Sequence, residues 1–328
     1  MSFIGNYTIS VVCALMVACA PAGHQPSGGV GKIKVTTTTT MITDLVKQIG
    51  GDLVEVEGLM GPGVDPHLFT PKDKDIDLLK EADVIFYHGL FLEGRMQDMF
   101  VDFASDKKHV YRVTKGIPKK LLLMPDDFDG HPDPHVWFDV ELWAKCVDEV
   151  VKGLSEVDPA NKSAYEESGR QYSAKLAKLR EWSVQRIDEL PKEKRILFTS
   201  HDAFNYFANS HEFRVEALLG ISTNDEAGSS DVTAMVDKLN ASSVKVLFTE
   251  SSVSSKGLEQ IKKDAGATIG GELFSDAMGE PGKMEGPEGG RYDVGTYEGM
   301  IRHNINTIVH KVLPMRLIRA HAGHMHFC

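Results

Sequence analysis

Positive charge is in short supply in this chain: 36 Lys and Arg stand against 47 Asp and Glu, a formal net charge of -11. That balance argues against a nucleic-acid partner, whose phosphates ask for a basic face. It suits the handling of cations, although most acidic surface simply keeps a protein solvated. Cysteine is equally sparse, with four in 328 residues, and Cys13 and Cys19 both fall in one N-terminal apolar run. The other two, Cys146 and Cys328, do not make a disulfide framework. Cys146 shares a helical stripe with Leu142, Trp143, Val147, Val150, Val151 and Leu154, so it reads as a small core residue. Long apolar segments are missing as well. The N-terminal run, residues 9–20, falls short of the roughly 20 residues that span a bilayer and has the length of a signal-peptide core.

Within that run Met16-Val17-Ala18-Cys19 resembles a bacterial lipobox, in which the cysteine becomes the lipidated first residue of the mature protein. Residues 1–8 carry no Lys or Arg, and cleavage after Ala20 is the alternative, which would leave Pro21 at the new terminus. Residues 1–19 are therefore expected to be a signal peptide ending at a lipidated Cys19. Residues 20–31, rich in Gly, Pro and Ser, are expected to be a flexible tether.

From Lys32 onward short apolar runs alternate with helical patterns. Strands are expected at residues 33–39, 53–59, 84–87 and 110–113, and helices near 41–49, 73–82, 93–104 and 139–157. Past residue 190 the alternation resumes, with strands at 196–199, 213–217, 244–249 and 268–273 and helices near 203–209, 230–239, 255–263 and 296–312. Such alternation implies parallel sheets covered by helices on both faces. Two groups of four strands predict an α/β fold of two lobes, each a four-stranded parallel sheet flanked by helices. The N-terminal lobe spans 32–158, the C-terminal lobe 191–313, and a tail follows at 314–328. Between the lobes, residues 159–190 hold no proline after Pro159 and a single glycine, Gly169. With Asp158 as N-cap and Pro159 at the first position, this predicts one long rigid helix of roughly 48 Å joining the lobes. Residues 278–295 contain six glycines and two prolines and are expected to be a mobile loop beyond the last strand, where such sheets bind ligands.

The tripeptide Asp-Pro-His occurs twice, as Asp65-Pro66-His67 and Asp133-Pro134-His135. Proline fixes its own φ and pushes the residue before it toward extended geometry, so each histidine sits on a stiffened loop. A carboxylate beside a stiffened imidazole is what a metal site needs to fix tautomer and direction. Two further groups stand just past strands, His201 and Asp276. Each pair comes from one lobe, so the four would meet in the cleft. Three imidazoles and one carboxylate complete a tetrahedral set for zinc, and a bidentate Asp276 would offer five contacts to a harder ion such as manganese. Taken singly, His201 could sit at a helix start and Asp276 in a turn, and spacing alone does not separate these readings.

Four motifs carry a resemblance: Gly63-Val64-Asp65-Pro66-His67, Asp133-Pro134-His135-Val136-Trp137-Phe138-Asp139, Ser200-His201-Asp202-Ala203-Phe204-Asn205-Tyr206-Phe207, and Gly270-Gly271-Glu272-Leu273-Phe274-Ser275-Asp276-Ala277-Met278-Gly279. Together, and in this order, they are similar to the zinc/manganese class of solute-binding proteins of ABC importers, the TroA-like type. The resemblance covers about residues 32–312. It implies two lobes joined by one rigid helix, with metal ligands at His67, His135, His201 and Asp276. It also implies a monomer in the periplasm or on the outer face of the bacterial cell membrane, delivering a divalent ion to a membrane permease with its ATPase. In that class, manganese-dedicated members tend to have Glu at the position of His201, and zinc-dedicated members add a long His-rich loop. This chain has His201 and a short loop, 124–133, with one histidine, His131. It resembles members that accept both ions, so Zn2+ or Mn2+ is the expected transported ligand.

Asp65, Asp133 and Asp202 adjoin these histidines and are expected to act behind them as acceptors or as helix caps. Glu250, at a strand end, is a further candidate to orient a histidine. His88 is expected to be structural, His303 and His310 to pack or lie on the surface, and the His-containing tail to be disordered with accidental metal affinity. Two alternatives remain: a zinc-dependent hydrolase, for which the chain lacks an H-E-x-x-H helix, and a binding protein for a larger solute such as a siderophore.

Overall fold

The structure is a computed structural model describing residues 31–106, 109–126 and 128–313. Cys19, the expected signal peptide, nearly all of the tether, and the tail at 314–328 lie outside the described residues.

The first lobe runs β1 (Ile33–Thr37), α1 (Thr40–Gly50), β2 (Val54–Gly58), α2 (Asp73–Glu81), β3 (Val84–Tyr87), α3 (Gln97–Ser105), β4 (His109–Arg112), α4 (Val140–Ala144) and α5 (Cys146–Val157). After α6 (Lys162–Ile187) the second lobe follows: β5 (Ile196–Thr199), α7 (Asn205–His211), β6 (Arg214–Ala217), α8 (Ser229–Ala241), β7 (Val246–Glu250), α9 (Lys256–Ala265), β8 (Thr268–Leu273), β9 (Met284–Glu285), β10 (Tyr292–Asp293) and α10 (Tyr297–Val312). Strands form where β-branched and aromatic residues cluster, as in Ile33-Lys34-Val35-Thr36-Thr37 and Val84-Ile85-Phe86-Tyr87. Both sheets are parallel and share one strand order, β2-β1-β3-β4 and β6-β5-β7-β8. In each, the first and third strands lie side by side, so the chain leaves their carboxyl ends in opposite directions and opens a crevice there.

Three expectations need adjustment. Residues 139–157 form two helices, because Lys145 N–H bonds back three residues to Leu142 O (3.0 Å) and tightens the turn. The apolar stripe nevertheless continues across the break, with Leu142, Trp143, Cys146, Val147, Val150 and Leu154 all buried. The linking helix starts later than expected, since Pro159–Asn161 is a 3-10 turn and α6 ends at Ile187. Asp158 caps no N–H there; its carboxylate instead accepts from Asn161 Nδ2 (2.6 Å) and the Tyr165 hydroxyl (2.9 Å). Residues 278–295 hold the β9–β10 hairpin, pinned by Gly279 N–H on Val294 O and by the Asp293 carboxylate, which accepts from the N–H groups of Gly282 and Gly295.

The helix α6 packs on α1, α4 and α5 of the first lobe and on α10 of the second. Its buried residues include Tyr165, Tyr172, Leu176, Leu179 and Ile187, one stripe along its length. Gly169 sits in that stripe because a Cβ there would come within 2.6 Å of Val151 on α5. Its role is close packing. One apolar cluster runs from Val35, Phe86 and Trp143 through Tyr165 and Leu176 to Phe248, Tyr297 and Ile305, so the inner faces of both lobes share a core. The outer faces have smaller clusters of their own, around Ile85 and Phe100 in one lobe and Leu247 and Leu258 in the other.

Candidate metal centre

Loops leaving the carboxyl ends of the strands bring four side chains together. His67 follows β2, His135 lies between β4 and α4, His201 is the second residue past β5, and Asp276 is the third past β8. Each offers a ligand atom, and the four atoms lie within 4.8 Å of one another. His67 is 4 % exposed and the other three 0–1 %. His67 Nε2 is 3.4 Å from His135 Nε2. Asp276 bridges the other two imidazoles, with Oδ1 3.4 Å from His135 Nε2 and Oδ2 3.2 Å from His201 Nε2.

Local chemistry explains how each ring is aimed. Asp133 Oδ1 accepts both the backbone N–H of His135 (2.9 Å) and its Nδ1–H (2.8 Å). Glu250 does the same for His201 with its two oxygens: Oε1 accepts the backbone N–H at 2.9 Å and Oε2 takes Nδ1 at 2.5 Å. A carboxylate on Nδ1 fixes the tautomer and turns Nε2 toward the centre. Asp65 acts differently, because Oδ1 accepts only the backbone N–H of His67 (2.8 Å) while Oδ2 takes the hydroxyl of Thr223 across the cleft (2.5 Å). Asp202 is half-buried beside His201 and donates its own N–H to Gly220 O, while Glu250 and Asp276 flank the two ring nitrogens of His201.

His88 stays outside the cluster. Its Nε2–H donates to the Pro134 carbonyl (2.7 Å), which steadies the loop carrying His135, and burial pushes its pKa down to about 3. His131 stacks on Phe91, and His303 pairs with Glu285 near the hairpin. Several contributors escaped sequence reasoning. Trp137 Nε1–H holds the Ser275 carbonyl (3.0 Å), Ser252 reaches Asp276 Oδ2 (3.4 Å), Asn205 donates to Asp133 Oδ2, and the Tyr206 hydroxyl donates to the Asp133 carbonyl. Trp137, Asn205 and Tyr206 fall inside the quoted motifs, which is the signal that could have found them. Ser252 and Thr223 lie in loops without one.

The electrostatics follow from three buried carboxylates facing three imidazoles. Burial opposes charge on His135, yet Asp133 and Asp276 outweigh it and raise its pKa to about 9. His201 is also raised well above its usual value, against burial, by Glu250 and Asp276. Burial would raise Asp276, but His201 and His135 hold it well below the carboxylate range. Burial alone dominates at His67 and pushes it down to about 3. The surrounding carboxylates thus favour the protonated forms of His135 and His201, and two such protons would carry the charge of one divalent cation. His201 Nε2 and Asp276 Oδ1 make no hydrogen bond among the described residues, although each stands near an opposite charge. Two buried polar atoms left without a hydrogen bond in one small cluster fit a centre that takes a shared partner. Three imidazoles and a carboxylate can hold zinc tetrahedrally or, with a bidentate carboxylate, a harder ion such as manganese. A cavity of about 440 Å3 reaches His67 from outside, walled by Phe91 and Leu92 on one lobe and Ile221 and Asp225 on the other.

Comparison with known proteins gives a consistent result. The family profile described as zinc-uptake complex component A, periplasmic, matches residues 35–311. The manganese-binding lipoprotein MntA of Bacillus subtilis is 42% identical over 282 residues, covering 84% of this chain and 89% of that protein. The zinc-binding protein TroA of Treponema pallidum is 39% identical over 294 residues, covering 88% of this chain and 91% of that protein. The solved structure of the periplasmic zinc-binding protein TroA superimposes with a TM-score of 0.81 at 38% identity, covering 87% of this chain and all of that one. A manganese-bound periplasmic metal-binding protein from Candidatus Liberibacter asiaticus gives 0.72 at 26% identity, over 86% of this chain.

Proposed function

The chain belongs to the periplasmic zinc-uptake component A family, and from that premise we propose that it captures a zinc or manganese ion outside the cytoplasm and delivers it to an ABC importer. The observation that carries this reading is the buried convergence of four donor atoms from two lobes. We assign His67, His135, His201 and Asp276 as the ligands, Asp133 and Glu250 as the groups that orient His135 and His201, and Asp65 as the brace of the His67 loop. Support for both ions comes from relatives named for manganese and for zinc, and from a donor set that suits either.

The proposed partners are the metal ion, a membrane permease and its ATPase, with the protein acting as a monomer. Relatives named as substrate-binding lipoproteins of metal ABC transporters support a lipid anchor, here at Cys19. Incorporation of labelled fatty acid that disappears in Cys19→Ser would bear this out, and a mature terminus at Pro21 would refute it. A role as a binding protein and not an enzyme is supported by the same names and by the site itself. Catalytic zinc keeps a position open for water, whereas here four protein donors surround the centre. A siderophore would need a wide cleft in place of a centre whose donor atoms lie within 4.8 Å of one another.

Metal content is the direct test. Protein stripped with a chelator, offered zinc or manganese and then desalted, is expected to retain about one ion per chain. Retention of none, with the fold intact, would sink the proposal.

A further inference from the structure

We propose that a second cavity, on the first lobe beside the mouth of the metal cleft, binds a small organic anion with an apolar body. The cavity has a volume of about 590 Å3, within the range of pockets that enclose small organic molecules. Its apolar surface comes from Leu90, Phe91, Ile117, Leu122 and Met124, and its charge from Arg112, Lys115 and Lys119. No carboxylate lines it among the described residues, in a chain whose net charge is -11. Nor do these three cations form an ion pair with any described residue. Three large apolar side chains that the protein leaves exposed, Phe91 (39 %), Val101 (61 %) and Met124 (56 %), all face this space. Apolar side chains gathered in one concave place with like charges at the edge form a binding surface more readily than a solvated one.

The backbone is bent unusually to make it. Gly89, Leu90 and Phe91 have φ of 81°, 54° and 69° in succession. Glycine enters this region freely, but bulky residues such as Leu and Phe rarely do, and such conformations gather at ligand clamps. Gly89 also lets the Arg112 stem lie against the turn, since a Cβ there would fall 2.1 Å from Arg112 Cδ. The turn presents the Phe91 ring as a wall, stacked on His131 with centroids 4.1 Å apart and planes at 9°. An aromatic wall, an aliphatic floor and a cationic rim together select an aromatic or alkyl carboxylate, sulfonate or phosphonate.

The test uses the full zinc-loaded protein and 8-anilinonaphthalene-1-sulfonate as probe, with uncharged N-phenyl-1-naphthylamine as the control of similar body. Saturable one-site binding of the sulfonate is expected, weakened by added salt. Lys115→Gln/Lys119→Gln leaves the Arg112 packing intact and should weaken sulfonate binding about tenfold, with zinc affinity unchanged and the neutral probe unaffected. Phe91→Ala should weaken both probes. Equal sulfonate binding in the wild-type and lysine-substituted proteins, or no saturable binding at all, would overturn the assignment. So would an equal loss of the neutral probe in the lysine variant, which would mark a packing defect.

Discussion

At the scale of single residues, His135 and His201 are held by the same device. One carboxylate grips the backbone N–H and Nδ1 of each, Asp133 for His135 and Glu250 for His201. Because those carboxylates and Asp276 raise both imidazoles, His135 to about 9, an ion bound as proposed would have to displace their protons. His67, pushed down to about 3, has none to give at neutral pH. Zinc binding near pH 7 should thus release about two protons, and the apparent Kd should rise about a hundredfold per pH unit lost below neutrality. Calorimetry in buffers of different ionisation enthalpy reads the proton count; a pH-independent affinity between about 6 and 8 would contradict this picture. The sign is the same in stability. Both raised histidines stabilise the ion-free protein below their unfolded value; the contribution of His135 is lost as pH rises through about 9, and that of His201 is lost likewise as pH rises through its own raised value. The pairing of Asp133 with His135 was legible because the two are neighbours in a stiff tripeptide. The grip of Glu250 on a histidine 49 residues away was visible only as an acid at a strand end. The reach of Asp65 across the cleft to Thr223 had no local signal, since the two meet only when the lobes come together.

At the scale of elements, the inner strands β3, β5 and β7 stand out as near-continuous apolar runs because neighbours and helices bury them. The edge strands β2, β4 and β6 are half polar and more exposed, and show as short runs with alternating or isolated apolar residues. What periodicity could not supply was the tight turn at Lys145, which preserves the stripe it interrupts, and the hairpin inside residues 278–295, where glycine and proline mask a pairing only two residues long. Gly169 illustrates the same limit. In sequence it is a possible break in a long helix, and in the structure it is a point where α6 packs closely on α5, with no room for a Cβ beside Val151. A helix packed this way on both lobes lacks the loose positions that hinges use. Hydrogen exchange with and without zinc should therefore show α6 protected in both states, with protection gained on loading in the loops around His201 and in 278–295. Loss of protection along α6 in the ion-free protein would show that it bends or melts.

At the scale of the whole molecule, the two lobes are distinct as sheets and continuous as a core. Tyr297 stacks on Trp143 (5.5 Å between centroids), its N–H donates to Asp44, and its hydroxyl donates to the Trp137 carbonyl, all across the lobe boundary. Two four-stranded parallel sheets were legible in the strand-helix alternation, but the apolar packing they share was not, because it depends on contacts between residues more than 100 positions apart. With the lobes joined in this way, donors from both can be held ready around one small centre. The central claim is that His67, His135, His201 and Asp276 bind one divalent ion. The measurement that addresses it most directly is a zinc titration of the wild-type protein beside His67→Ala, His135→Ala, His201→Ala and Asp276→Ala, with circular dichroism to check that each folds. One site is expected in the wild type, with a loss of about a hundredfold or more, near 2.7 kcal/mol, in every variant. Near-wild-type affinity in two or more of the folded variants would contradict it.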